Sequence, residues 1–448
     1  MVLSVFSRYV QQQWLKKGWW SQLLTPLSKA TSHYAQKKRF KFLSGQSPSY
    51  QAPVPVIVVG NIFVGGTGKT PLVIALTQAL QAKGHKVGIV SRGYGVPIGK
   101  EARFVNIHSA QTQKNQETAL YPTATLASWI GDEPSVLAQY APIAVHPQRA
   151  KAAQKLLQEC PDTTVIISDD GLQHYGLARD IEIVVQDTRR VGNGLMLPAG
   201  PLREPVDRLK TVDFIITNYN LLSDVPSLIQ DLLEKETHSP QPENTLQQTP
   251  TDSLASANLF TESQAIRHTA NTSPSSVSVQ TGDFKEVSRT TNTTPVHRHP
   301  LAITMYLVPT TLRQLSTGKT LSLSDFITQY GQQKRYAIAG IGNPQRFYQT
   351  LADCGLTPSQ TQSFDDHHAF KASDLTPFQD GLVLMTAKDA SKCLSFAGDN
   401  CWAVEVKAQF YPTDFFEKVV QLLDTPKPKK LNISVTKSGC CSGKSCGC

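Results

Sequence analysis

Residues 65–70 read Gly-Gly-Thr-Gly-Lys-Thr, directly after the apolar run VPVIVVGNIFV. Glycines at 65, 66 and 68 let successive backbone N–H groups turn toward one anion, and a helix starting there adds the positive end of its dipole. Lys69 has the reach and charge for β- and γ-phosphate oxygens, and the Thr70 hydroxyl can ligate magnesium. Gly65, Gly66, Thr67, Gly68, Lys69 and Thr70 are therefore the candidate ATP-binding loop. The usual pattern G-x-x-x-x-G-K-[ST] asks for glycine at position 63, where this chain has Phe63. The flexibility is shifted to Gly65-Gly66, which makes this a variant loop.

Four other stretches carry residues suited to the same chemistry. In ISDDGLQH, Asp169 and Asp170 close an apolar run. Adjacent carboxylates repel unless a cation or basic group lies between them, so they are candidate ligands of magnesium or its waters. In GDEPSVLA, Asp132 and Glu133 precede a helix. Two readings stay open there: acids favouring the helix dipole, or Asp132 as a base taking a proton from an attacking hydroxyl. The Gly/Pro-rich GNGLMLPAGPLREP carries Arg203-Glu204, with Arg203 a candidate for phosphate contact and Glu204 for contact with the metal or an active-site arginine. SFDDHHAF places Asp365, Asp366, His367 and His368 in a row. Neighbouring side chains rarely point at one ion, so an Asp–His pair tuning a catalytic group across a cleft is the preferred reading. His174 has two readings, an anchor for its loop or a structural histidine.

The elements needed to hold these residues are legible as apolar runs alternating with helical stretches. VPVIVVGN, KVGIVSRGYG, APIAVH, TTVIISDDG and DIEIVVQD read as strands, and TPLVIALTQALQAKG as a helix closed by Gly84. This alternation predicts an α/β fold with a mostly parallel sheet and helices on both faces. The candidate residues follow the strands directly, and ligands in such sheets sit at the strands' carboxyl ends. LAITMYLVP, KRYAIAGIGNPQRFYQTLADCG, GLVLMTAKDASK and CWAVEVKA predict a smaller second α/β domain. The expected division is 1–43 as an N-terminal amphipathic and basic segment, 44–211 as the phosphate-binding domain and 212–430 as the second domain. Residues 236–300, rich in Ser, Thr, Gln, Asn and Pro with Phe260 and Phe284 as the only aromatics, predict a disordered insertion. Residues 431–448 form a tail ending CCSGKSCGC, either a soft-metal site or an uninvolved end.

Charge is uneven along the chain. The formal net charge is +9, yet the first hundred residues contain 13 Lys or Arg and no acid. That imbalance points to an anionic partner. Trp14, Trp19 and Trp20 beside Lys16 and Lys17 fit a helix at a membrane interface or an amphipathic helix packed on its own domain, and KKRFKF at 37–42 favours the anionic membrane interface. With no base-stacking motif, nucleic acid is not an expected partner. No apolar stretch reaches the roughly 18 residues of a membrane span, and the N-terminus lacks signal-peptide layout. The four scattered cysteines (Cys160, Cys354, Cys393, Cys401) are expected to be reduced.

In series, VGNIFVGGTGKTPLV, SRGYG, GDEP, DDGLQH, GNGLMLPAGPLREP, AGIGNPQRF, DHHAF and TAKDASK resemble the tetraacyldisaccharide 4′-kinase family, over about residues 15–235 and 300–425. The resemblance implies a P-loop NTPase-like kinase acting peripherally at the cytoplasmic face of the bacterial inner membrane. Such an enzyme moves the ATP γ-phosphate to the 4′-hydroxyl of the tetraacylated lipid A disaccharide precursor. By motif it implies that Lys69 and Thr70 bind phosphate and Mg2+, and that Asp169, Asp170 and Glu204 surround the metal. It also implies that Asp132, partnered by His367, activates the hydroxyl. The family loop likewise lacks the early glycine. Ala387 departs from the family's Glu in TEKD. A membrane-associated ATPase switch of the partition type is the alternative, but such loops carry an early second lysine where this chain has Val64.

Overall fold

The structure is a computed structural model and describes residues 13–15, 17–107, 123–219, 299–366 and 368–425. The described residues fall in the first of two units, 1–230 with 298–448. The expected insertion at 236–300 therefore lies outside the described residues except for its last two, as does the tail at 431–448.

Within the first unit the strands are β1 (Val56–Gly60), β2 (Val87–Ser91), β3 (Arg103–Val105), β4 (Ile143–Val145), β5 (Val165–Asp169), β6 (Ile181–Asp187) and β7 (Phe214–Tyr219). They continue as β8 (Leu301–Gln314), β9 (Thr320–Ser322), β10 (Arg335–Ala339), β11 (Gln360–Ser363), β12 (Leu382–Thr386) and β13 (Cys401–Tyr411). All belong to one 13-stranded sheet in the order β11-β10-β12-β13-β8-β7-β6-β1-β5-β2-β4-β3, with β9 on β8. Every pairing is parallel except β3 on β4, β9 on β8, and β13 on β8. The mostly parallel sheet expected from the alternating pattern is thus present.

Side-chain alternation explains why these runs are apolar throughout. Ile57, Val59, Ile89 and Ile167 point to one face, packing on Leu72, Val73, Leu76 and Leu80 of the helix Lys69–Ala82. Val56, Val58, Val90 and Ile166 point to the other, against Ala152, Ala153 and Leu156 of the helix Arg149–Glu159. A strand covered on both faces has no side left for polar residues. The C-terminal helix Phe415–Asp424 returns to the first face, where Phe415 meets Phe214 edge-on at 5.3 Å.

The long β8 and β13 join the two parts of the sheet. Residues 301–306 of β8 pair with β7, while 311–313 pair with β9. Because β13 runs antiparallel to β8 and parallel to β12, the strands of the second part run opposite to those of the first. Their ladder slips register between Glu405 and Val406, and such a bulge bends a strand and increases its twist. The outcome is visible in contacts: the loop after β10 touches the loop after β1, where a Cβ on Gly342 would lie 2.9 Å from the Gly66 nitrogen.

Candidate functional site

The loop after β1 is braced from beneath. Asn61 is fully buried, and its Nδ2 donates to the Gly65 carbonyl (3.1 Å) and the Thr67 hydroxyl (3.3 Å). From the end of β7, Asn218 donates to the Thr67 carbonyl at 3.0 Å. Gly68 adopts φ +90°, and a Cβ there would sit 2.1 Å from Asn218 Nδ2, so glycine is required on both counts. Arg346, from the helix Pro344–Asp353 that follows β10, donates to Asn218 Oδ1 and, at 2.7 Å, to the Tyr219 carbonyl. The loop's amides are thus held in a turn leading into the helix Lys69–Ala82, an arrangement suited to a polyphosphate.

Phe63 has a structural reason. Its side chain is 4% exposed, packed with Ile62, Leu172, Val184, Met196 and Leu202, while the Arg189 guanidinium lies 4.4 Å from its ring. Glycine there would open a cavity. Phe63→Gly is expected to cost at least about 3 kcal/mol of stability, by analogy with buried Phe→Ala. Urea unfolding measures it, and a loss below about 1 kcal/mol would refute a packing role.

At the end of β5, Asp170 sits in the left-handed region (φ 46°) with its carboxylate between two cations. Lys69 Nζ is 3.5 Å from Oδ1 and Arg203 Nη1 is 3.3 Å from Oδ2. Burial would raise this carboxyl, but Lys69, Arg203 and Arg149 outweigh it and hold it at about 2. Asp169, 2% exposed, goes the other way. Burial, then the Glu133 and Asp170 carboxylates, push it up to about 7. It accepts from the Ser91 hydroxyl at 3.0 Å. Arg149 is buried behind both, donating to the Asp169 carbonyl at 3.0 Å. Burial lowers it to about 10, which leaves it cationic at neutral pH.

A third group of charges connects the two parts of the sheet. Asp132 and Glu133 open the helix Asp132–Leu137, after Gly131 at φ +101°. From the helix Ala387–Cys393, Lys392 Nζ lies 3.1 Å from Asp132 Oδ2. Lys388 Nζ lies 3.6 Å from Glu133 Oε1 and 3.4 Å from Asp366 Oδ1. Burial disfavours the Lys388 charge, but Glu133, Asp366, Asp132 and Asp389 outweigh it and raise its pKa. Thr386 caps this helix by accepting from the Asp389 amide, and the cap does not use Ala387.

The structure groups the expected residues unevenly. Lys69, Asp169, Asp170 and Arg203 converge, and Glu133 is near enough to act on Asp169. Glu204 is turned to other partners: it is buried, accepts from the Tyr175 hydroxyl at 3.0 Å, and feels Arg208, Arg39 and Lys38. Burial and Glu204 push Tyr175 up to about 12, so it remains the donor. His174 is neutral: burial, then Arg149, lower it to about 3. His368 bonds Asp374 at 3.0 Å and stacks on Phe364. His367 lies outside the described residues. Among the described residues, no three or more His, Cys, Asp or Glu side chains are placed to hold a metal by themselves.

Asn61, Asn218, Lys388 and Lys392 were not singled out from sequence. The two asparagines each end or follow an apolar strand, which is the available signal. The lysines stood in TAKDASK, spaced to share one helix face. A cavity of about 570 Å³ lined by His85, Lys86, Tyr140 and Cys160 lies at the amino-terminal ends of β2, β4 and β5, the sheet edge away from the phosphate loop.

The family described as "Tetraacyldisaccharide-1-P 4′-kinase" matches residues 20–278 and 275–424. Proteins named tetraacyldisaccharide 4′-kinase are similar along most of the chain. The one from Bordetella parapertussis is 37% identical over 421 residues, covering 94% of this chain and 98% of the relative. That of Pasteurella multocida is 37% identical over 402 residues, covering 89% and 94%. That of Aeromonas salmonicida is 34% identical over 444 residues, covering 96% and 99%. In fold, the chain is similar to the crystal structure of the apo form of LpxK from Aquifex aeolicus in complex with ATP. The TM-score is 0.60 at 21% identity, over 90% of this chain and 99% of that one.

Proposed function

The chain belongs to the tetraacyldisaccharide-1-P 4′-kinase family, and on that premise we propose how its residues divide the reaction. It is a kinase that transfers the γ-phosphate of ATP to the 4′-hydroxyl of the tetraacyldisaccharide 1-phosphate, in lipid A biosynthesis. The observation that carries the division of roles is the convergence of Lys69, Arg203 and the Asp169-Asp170 pair beside the braced turn of Gly65 to Thr70.

Residues 44–211 bind the nucleotide, and 212–430 supply the groups that meet it from the far side. Backbone amides of Gly65 to Thr70 bind the phosphates, and Lys69 follows the charge that develops on the transferred phosphoryl group. Arg203 does the same from Asp170's other side. The oxygen donors Thr70, Asp169 and Asp170 suit Mg2+, which takes one or two carboxylates plus phosphate oxygens and water. Asp170 Oδ1 fits that role, being buried with no hydrogen-bond partner. Bound there, Mg2+ supplies charge neutralisation on the β- and γ-phosphates. Glu204 supports this site from its bond to Tyr175. Asp132, with His367, takes the proton of the sugar hydroxyl, a poor nucleophile until deprotonated. Closing the site around the phosphates excludes water that would otherwise hydrolyse ATP.

The N-terminal segment reaches the lipid. No described helix is long and apolar enough to cross a membrane. The helices Trp19–Leu23 and Thr25–Leu43 instead expose Trp19, Leu23, Leu27 and Phe40, each more than half exposed, beside Lys29, Lys37 and Lys41. Thr31 anchors them by donating to the Leu197 carbonyl at 2.6 Å. Apolar and basic side chains together suit a peripheral site on an anionic leaflet, at the cytoplasmic face of the inner membrane where ATP is present. Vesicle flotation checks this: co-flotation with anionic but not zwitterionic vesicles, lost in Trp19→Ala/Phe40→Ala, is expected.

The activity test is transfer of radiolabel from γ-labelled ATP to a tetraacylated glucosamine disaccharide 1-phosphate in detergent. ATP hydrolysis without labelled lipid would instead favour an ATPase switch.

A further inference from the structure

We propose that Lys392 is a positioning residue for phosphoryl transfer, holding the Asp132 carboxylate from the opposite part of the sheet. This rests on Asp132 being the base, as argued above. Lys392 stands on the helix Ala387–Cys393, one turn after Lys388. Its side chain is only 10% exposed, and its ammonium has three partners: Asp132 Oδ2 at 3.1 Å, the His368 carbonyl at 3.2 Å and Asp389 Oδ1 at 3.9 Å. Asp132 Oδ2 and the His368 carbonyl are within hydrogen-bond distance of the ammonium, while Asp389 Oδ1 at 3.9 Å acts on it only as a charge.

The anchor is itself fixed. Asp389 is fully buried and takes bonds from the Gly340 amide (3.1 Å) and the Thr386 hydroxyl (2.8 Å). Lys392 is therefore attached to the end of β10 and the start of its own helix before it reaches Asp132. Lys388 fixes the same junction a second time, through Glu133 next to Asp132 and through Asp366. Two lysines at helical spacing thus grip two consecutive acids of the facing helix. A carboxylate held this way loses rotamer freedom, and misplacing a catalytic group by about 1 Å can cost on the order of 10²-fold in rate. The pair also keeps a negative charge stable in a crowded, acidic neighbourhood containing Glu133, Asp366 and Asp389.

The test compares wild type, Lys392→Met, Lys392→Arg and Asp132→Asn in the radiolabel assay, with ATP binding measured separately. Lys392→Met is expected to lower kcat on the order of 10²-fold while KM for both substrates stays within about twofold. Lys392→Arg, which keeps the cation, is expected to recover to within about tenfold of wild type. If Lys392→Met does not fold, Lys392→Gln, which can still donate to the His368 carbonyl, is read in the same way. Wild-type kcat in the neutral variant, or a loss confined to KM, overturns the proposal. If Asp132→Asn is inactive while Lys392→Met is normal, the base reading stands and only the lysine's role fails. If Asp132→Asn turns over normally, the base reading fails and the proposal with it.

Discussion

Lys69→Ala is expected to abolish phosphoryl transfer, with a loss of at least about 10³-fold in kcat. Lys69 is the first residue of the helix that follows the phosphate loop, and its side chain is 10% exposed. It has two electrostatic duties. In its proposed role it neutralises the phosphates, and in the structure it is one of the two cations flanking Asp170. Without it, Asp170 keeps Arg203 and Arg149, so the pocket stays folded but loses the charge nearest the transferring group. ATP affinity should fall along with kcat, because Lys69 acts on the bound nucleotide as well as on the transition state. Turnover within about tenfold of wild type, in a variant with an unchanged melting temperature, would remove Lys69 from the site.

Asp132→Asn should be nearly as damaging, by a different route. General-base catalysis contributes roughly 10² to 10⁴-fold, and asparagine keeps the shape of the carboxylate without its basicity. The loss is expected in kcat, with ATP binding preserved, because Asp132 pairs with Lys392 whereas Asn61 and Asn218 brace the phosphate loop. That split separates the two variants: Lys69→Ala loses nucleotide affinity and Asp132→Asn does not. Single-turnover labelling with saturating ATP provides the measurement. Near-normal labelling by Asp132→Asn would return Asp132 to the role of helix-dipole partner that its place in the first turn of Asp132–Leu137 also permits.

The pairing of Asp169 with Asp170 illustrates how far residue types go before neighbours matter. Asp169 ends β5 and Asp170 follows it, and both are acids, yet Asp170 is held at about 2 and Asp169 pushed to about 7. The difference lies in what each faces: Lys69 and Arg203 for Asp170, the protein interior and Glu133 for Asp169. Asp169 is the last residue of β5 and Asp170 turns at φ 46°, but what each side chain meets belongs to other segments. Glu204 makes the same point. Its position after a Gly/Pro-rich loop placed it among the metal candidates, whereas its immediate partner is Tyr175.

What the chain alone determined are the features set by neighbours in sequence: the turning glycines and Lys-Thr of the loop, the apolar runs of a sheet covered on both faces, the acids that follow them, and the family to which these motifs in order belong. The phosphate loop needs only the backbone freedom of Gly65, Gly66 and Gly68 and the start of a helix, all within a few residues. What only the tertiary structure decided are the pairs between distant segments. Phe63 packs with Leu202 and Met196, Asn218 braces Thr67, and Lys392 holds Asp132. Those contacts depend on strand order and on the bent β8–β13 ladder, with the loop after β10 meeting the loop after β1 and the helix after β12 meeting the helix Asp132–Leu137. Local propensity has no information about that closure, because it arises from burying the faces of the whole sheet at once.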